Sequence, residues 1–147
     1  MEDKNYQKET SGDIENLKKQ VKSKTESIGE QKIEIKEELS EEIIKAIEGV
    51  PTGSVGLVVL KGPNIGEVFL INKDDFNIGR ELNSDIFLED ITVSRKHAKI
   101  EKINNAFKIT DQGSLNGIYI NGKLLDEKIL ENGDRIQIGK YIFYFFI

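Results

Sequence analysis

The chain has 147 residues, enough for one domain and a tail, and carries a net charge of −5. With no cysteine and a single histidine, neither a disulfide framework nor a thiolate or zinc site is expected. The acidic balance argues against non-specific nucleic-acid binding, which needs a basic field. No apolar run approaches the ~20 residues of a membrane span.

The first ten residues, MEDKNYQKET, are polar and lack the apolar stretch of a secretory signal, so a cytoplasmic protein is expected. Abundant Lys, Ile, Asn and Glu are compatible with an AT-rich bacterial genome. Residues 1–50 have one aromatic, Tyr6, and charges at every second or third position. Such a segment buries too little apolar surface to offset its ordering entropy, so a flexible, charged N-terminal tail is predicted. Two stripes at helical spacing interrupt it. Ile14, Leu17 and Val21 follow Asp13, and Leu39, Ile43, Ile44 and Ile47 surround a cap at Ser40 and a stop at Gly49 and Pro51.

From residue 51 onward a β domain is predicted, and from Ser54 the period is that of strands. SVGLVVLKG ends at the turn Lys61-Gly62-Pro63-Asn64, and GEVFLIN returns as its hairpin partner. Short runs follow at Phe76–Gly79 and Ile86–Leu88. HAKIEK alternates, Asn104-Asn105 signals a turn, and Ala106–Thr110 alternates again. Ile118-Tyr119-Ile120 precedes Asn121-Gly122, the strongest two-residue hairpin signal. After the turn Glu131-Asn132-Gly133-Asp134, two last runs close the chain. Short strands with frequent turns predict an all-β sandwich. YIFYFFI is apolar on both faces and has to be paired and covered.

Three polar pieces lie between these strands. They are Gly79-Arg80-Glu81-Leu82-Asn83-Ser84-Asp85, Thr92-Val93-Ser94-Arg95-Lys96-His97 and Asp111-Gln112-Gly113-Ser114-Leu115-Asn116-Gly117. Together they offer two guanidinium forks, hydroxyls, a carboxamide and backbone N–H groups freed by glycine. A phosphorylated threonine presents about −1.5 to −2 charges and three strong acceptors, and needs such charge-assisted donors in advance. Arg80 and Arg95 supply forks. Ser94 supplies a hydroxyl and its own N–H, and Asn116 both donates and accepts. Gly113 and Gly117 allow positive φ. Ser94 and His97 are expected to point to opposite faces, so no nucleophile–base pair forms and no enzyme is expected. Taken singly, Arg80 and Arg95 also fit surface ion pairs, and Asn116-Gly117 also fits a plain hairpin turn.

F-N-I-G-R, N-S-D-I, V-S-R-K-H-A and D-Q-G-S-L-N-G-I-Y-I-N-G, with the later N-G-D-R-I-Q-I-G, resemble the forkhead-associated (FHA) domain over roughly residues 54–147. The resemblance implies an FHA-type sandwich of about eleven strands that reads phosphothreonine peptides with loops at one end. It implies phosphate contacts from Arg80, Ser94 and Arg95, a peptide-backbone bond from Asn116, and a bracing role for His97. The expected phosphopeptide-binding set is Arg80, Asn83, Ser94, Arg95, Ser114, Leu115 and Asn116. A preference for phosphothreonine over phosphoserine is implied, with the γ-methyl worth ~1 kcal/mol.

Within that family, G-V-P-T-G-S-V-G-L-V-V-L-K-G-P-N-I-G and N-S-D-I-F-L-E-D-I-T-V-S-R-K-H-A are similar to bacterial glycogen-accumulation regulators, also called oxoglutarate dehydrogenase inhibitors. That subgroup implies a Ser/Thr kinase that phosphorylates the tail, capture of the tail by the domain, and release of enzymes of 2-oxoglutarate and glutamate metabolism. Glu9-Thr10-Ser11 resembles part of the subgroup's E-T-T-S, without its second threonine or the hydrophobic residues after it, and Ile118 stands where Thr is usual. Thr10 and Thr25 are the candidate phosphorylation sites. About 40 flexible residues between Thr10 and the domain give an r.m.s. span of roughly 35 Å, comparable with the diameter of a domain this size, so reach does not forbid self-binding. A phosphothreonine-binding signalling module switched by its own tail is expected, with phosphorylation-controlled regulation of metabolic enzymes as the alternative. No cofactor, metal, nucleic acid or membrane is expected.

Overall fold

The structure is a computed structural model that describes residues 39–147. Thr10, Thr25 and the stripe Ile14, Leu17, Val21 lie outside the described residues. The chain divides between Gly53 and Ser54 into two units, beside a composition boundary drawn after Val50.

In the first unit, α1 (Glu41–Glu48) is the helix the second stripe predicts. Ser40 caps it by accepting the Ile43 N–H at 3.3 Å, and Glu41 and Glu42 face the positive end of the helix dipole. Gly49 ends it in an ordinary right-handed conformation (φ −79°), with Pro51 following.

The second unit has eleven strands in two sheets. They are β1 (Gly56–Lys61), β2 (Val68–Leu70), β3 (Asp75–Gly79), β4 (Ile86–Phe87), β5 (Ala98–Ile103), β6 (Ala106–Asp111), β7 (Ile118–Ile120), β8 (Lys123–Leu125), β9 (Glu127–Ile129), β10 (Arg135–Ile138) and β11 (Tyr141–Phe146). One sheet runs β2-β1-β11-β10-β7-β8 and the other β4-β3-β5-β6-β9. All pairings are antiparallel except β3–β4, which is parallel over two residue pairs.

Alternation sets the faces. Phe76 and Ile78 of β3, Ala98 and Ile100 of β5, and Phe107 and Ile109 of β6 point inward and are buried. They meet Leu57, Val59, Ile118, Ile120, Ile136, Ile138, Phe143 and Phe145 from the other sheet in one core. β11 is paired on both sides, by β1 and β10. Its alternate residues Tyr144 and Phe146 are buried as well, as the doubly apolar run requires.

Strand direction decides which loops meet. β3 ends, β5 begins, β6 ends and β7 begins at the same end of the sandwich, because neighbours in each sheet are antiparallel. β10 ends and β11 begins there too. The three polar pieces and the turn at Gly139-Lys140 therefore share one end. The tight turns Asn104-Asn105 and Asn121-Gly122 lie at the other, with the positive φ that such turns need.

Candidate phosphopeptide-binding site

The first loop leaves β3 at Gly79, against the second. A Cβ at position 79 would overlap the Arg95 carbonyl oxygen and lie 2.8 Å from its carbon, so only glycine allows this approach. The Arg80 N–H then divides between the carbonyls of Ser94 and Arg95, each at 3.0 Å. The Arg80 side chain is held too, since its Nε donates to the Val93 carbonyl at 2.8 Å. This leaves the two terminal nitrogens of the guanidinium for a ligand.

The third loop closes on the second. The Leu115 N–H donates to Ser94 Oγ at 3.0 Å, and Asn116 Nδ2 donates to the Thr92 carbonyl at 3.0 Å. The loop is built on Asp111, whose carboxylate accepts from the Ser114 hydroxyl and from the N–H groups of Gly113 (3.1 Å) and Ser114 (3.2 Å). Ser114 Oγ in turn accepts the Gly117 N–H at 2.9 Å. Gly113 and Gly117 sit at φ 75° and 77°. Asn116-Gly117 is not a two-residue hairpin turn, because the loop crosses from one sheet to the other.

His97 is fully buried beneath these loops. Its Nδ1 accepts the Ser94 N–H at 3.0 Å, and its Nε2 lies 2.8 Å from the Gly117 carbonyl. An acceptor at Nδ1 and a carbonyl at Nε2 assign the Nε2–H tautomer. This corrects two expectations. Ser94 and His97 do not face apart, because the chain turns between them before β5 begins. Nor is the Ser94 N–H free for a ligand. The Ser94 hydroxyl oxygen accepts from Leu115, so its proton remains to donate outward. Neither ring nitrogen of His97 is left to act as a base on that hydroxyl.

A fourth contact was not legible in the sequence. Asp90 accepts from the Thr92 N–H (2.9 Å) and hydroxyl, and pairs with Lys140 Nζ at 3.0 Å. The Lys140 N–H donates to Thr92 Oγ1 at 3.1 Å. The Thr92 hydroxyl bond, then the Thr92 amide and Lys140, hold the Asp90 carboxyl down to about 2. The local Asp-x-Thr turn has a sequence signal. Its tie to the β10–β11 turn, some fifty positions away, has none.

Asp90 and Asp111 are thus engaged with their own supports, and Asp85 is held by Lys73 and the Asn77 N–H. Arg80, Arg95 and Lys96 have no carboxylate partner among the described residues. Of the expected set, Arg80, Ser94, Ser114, Leu115 and Asn116 are drawn together by hydrogen bonds. Leu115 contributes its amide, while its side chain is 89% exposed. Arg95, next to Ser94 in the chain, is exposed. Asn83 stands apart, lining a pocket on the outer face of the β3–β5 sheet.

A family model described as FHA domain matches residues 76–139, from β3 through the end of β10. The chain belongs to the FHA domain family. An FHA chain solved in a study of phosphothreonine-dependent FHA domain interactions superposes with a TM-score of 0.59 at 28% identity, covering 64% of this chain and 96% of that one. The glycogen accumulation regulator GarA of Mycobacterium tuberculosis is 48% identical over 102 residues, 69% of this chain and 63% of its own. The oxoglutarate dehydrogenase inhibitor of Corynebacterium jeikeium is 47% identical over 95 residues, 65% of this chain and 66% of its own. The chain thus spans about two thirds of the length of these curated relatives. Among its described residues, no helix is long and apolar enough to cross a membrane.

Proposed function

We propose that this FHA protein is a non-catalytic binding module for phosphothreonine peptides. Arg80, Arg95 and the Ser94 hydroxyl take the phosphate, Asn116 and Leu115 flank the peptide, and Asn83 and Ser114 complete the set. The observation that carries this reading is that the Arg80 guanidinium, tied by its Nε to the loop that bears Ser94 and Arg95, and the Ser94 hydroxyl, tied to Leu115, are brought to one end of the sandwich while neither arginine has a carboxylate partner among the described residues. Cations left unpaired in advance favour a doubly charged ligand, because no internal ion pair has to break before it binds. The ligands are phosphothreonine segments of other proteins or the chain's own tail, phosphorylated by a Ser/Thr kinase. Calorimetry of the full chain with a phosphothreonine peptide, against its unphosphorylated form, tests this. Arg80→Ala and Ser94→Ala each weaken binding at least about tenfold on this reading, and unchanged affinity in both rejects it.

The identity to proteins named glycogen accumulation regulator and oxoglutarate dehydrogenase inhibitor favours a second reading. Here the unphosphorylated domain holds an enzyme of 2-oxoglutarate or glutamate metabolism, and a phosphorylated tail displaces it. Pull-down before and after kinase treatment separates the two. Loss of partners on phosphorylation fits the inhibitor switch, and gain fits the adaptor.

A further inference from the structure

Three Asn-Gly pairs lie among the described residues, Asn116-Gly117, Asn121-Gly122 and Asn132-Gly133. Asparagine is a chemically labile residue, and a following glycine leaves its own N–H unshielded by a Cβ. The deprotonated glycine nitrogen attacks the asparagine Cγ. A Cγ–N bond forms, the Cγ–Nδ2 bond breaks, and ammonia leaves with the proton the glycine has lost. Water then opens the cyclic imide at either carbonyl and gives aspartate or isoaspartate. The carboxamide and the glycine N–H must both come free for this to start. The three pairs share that chemistry, so the fold decides between them.

At Asn121 the carboxamide is held at both ends, by the Arg135 N–H at 2.9 Å and by the buried Asp134 carboxylate at 2.9 Å. The second of these is charge-assisted and so the stronger. At Asn132 both groups are tied to backbone at the end of β11. Its Oδ1 accepts the Ile147 N–H at 2.9 Å, and the Gly133 N–H donates to the Phe145 carbonyl at 2.8 Å. Asn116 is exposed, and its carboxamide has one neutral bond among the described residues, to the Thr92 carbonyl. The Gly117 N–H is held by the Ser114 hydroxyl at 2.9 Å, a group that can rotate away.

We propose that Asn116 is a site of spontaneous deamidation, that the Ser114 hydroxyl is its guard, and that the product no longer holds a phosphorylated ligand. The last clause rests on the phosphothreonine reading above. A carboxylate at position 116 loses the donor that Asn116 gives to Thr92 and sets an oxygen against that carbonyl. It also brings negative charge to loops that receive a phosphate of about −1.5 to −2 charges. The isoaspartate product adds a carbon to the main chain before Gly117, which shifts the Gly117–Ser114 bond out of place.

The test is ageing of the fresh full chain in warm, mildly alkaline buffer, with peptide mapping by mass spectrometry at all three positions. Asn116 converts at least about fivefold faster than Asn121 or Asn132. Ser114→Ala raises conversion at Asn116 alone by about fivefold, and Ser114→Thr, which keeps a hydroxyl, does not. Equal rates at the three positions of the unsubstituted chain overturn the site. No rise in Ser114→Ala, or a rise at all three positions as in a loosened fold, overturns the guard. Calorimetry with a synthetic peptide of residues 4–16 phosphorylated at Thr10, the Thr10 peptide, follows the aged samples. Binding capacity falls in step with the fraction converted at Asn116, and Asn116→Asp reproduces the loss. Capacity that stays constant overturns the consequence for binding. A fresh chain that does not bind the peptide rejects the phosphothreonine reading and that consequence with it, and the conversion rates still decide the site.

Discussion

The backbone amide of Leu115 donates to the side-chain oxygen of Ser94 at 3.0 Å, across 21 positions of sequence. This bond joins two recognition loops and turns the hydroxyl proton of Ser94 outward. On the proposed reading the same atom ties the loops together and meets the phosphate. Replacing Ser94 by alanine costs both roles. We expect phosphopeptide affinity to fall by about ten- to a hundredfold, as for loss of a hydrogen bond to a charged group. The melting temperature should shift only slightly, because the freed Leu115 amide lies at an exposed bond. Calorimetry and thermal unfolding of the same samples check both.

Arg80 tests whether geometry matters beyond charge. Its Nε is committed to the Val93 carbonyl, and only the far edge of the guanidinium remains. A lysine keeps the charge but cannot serve the carbonyl and the phosphate together. Arg80→Lys should therefore lose most of the affinity that Arg80→Ala loses, by about 2 kcal/mol or more. Near-normal binding by Arg80→Lys would show that the site needs only a point charge.

Gly79→Ala tests the close approach of the first two loops. The added methyl meets backbone, which cannot rotate away. A stability loss of about 1–3 kcal/mol is expected in urea titration, together with weakened phosphopeptide binding.

The Asp90–Thr92–Lys140 network gives a pH dependence. Asp90 is held at about 2 in the folded chain, first by the Thr92 hydroxyl, against 3.8 as its ordinary value. A depressed carboxylate contributes stability that is present above its unfolded pKa and lost as pH falls through the folded one. The contribution is complete above about pH 4 and disappears between pH 4 and 2. Asp90→Asn should flatten that part of the stability-versus-pH curve. At neutral pH, Thr92→Val should weaken phosphopeptide binding by loosening the loop that carries Ser94, and Thr92→Ser should restore it.

The strands were legible because each inward face alternates and each turn carries its own residues, as at Asn104-Asn105 and Asn121-Gly122. The helix cap at Ser40 was legible for the same local reason. Arg80, Ser94 and Asn116 could be named because their loops repeat a family's order and spacing. What escaped was the wiring between loops. That Leu115 reaches Ser94, and that Lys140 reaches Asp90, depends on which strand ends the two sheets bring together. Neither pair falls within one local window of sequence.

The most direct measurement is a proton–nitrogen correlation titration of the labelled full chain with the Thr10 peptide, phosphorylated and not. The account predicts shifts concentrated at the amides of Arg80, Ser94, Arg95, Leu115 and Asn116, seen only with the phosphorylated peptide and absent in Arg80→Ala. Shifts of equal size with the unphosphorylated peptide, or shifts confined to the opposite end around Asn121 and Asp134, would contradict it.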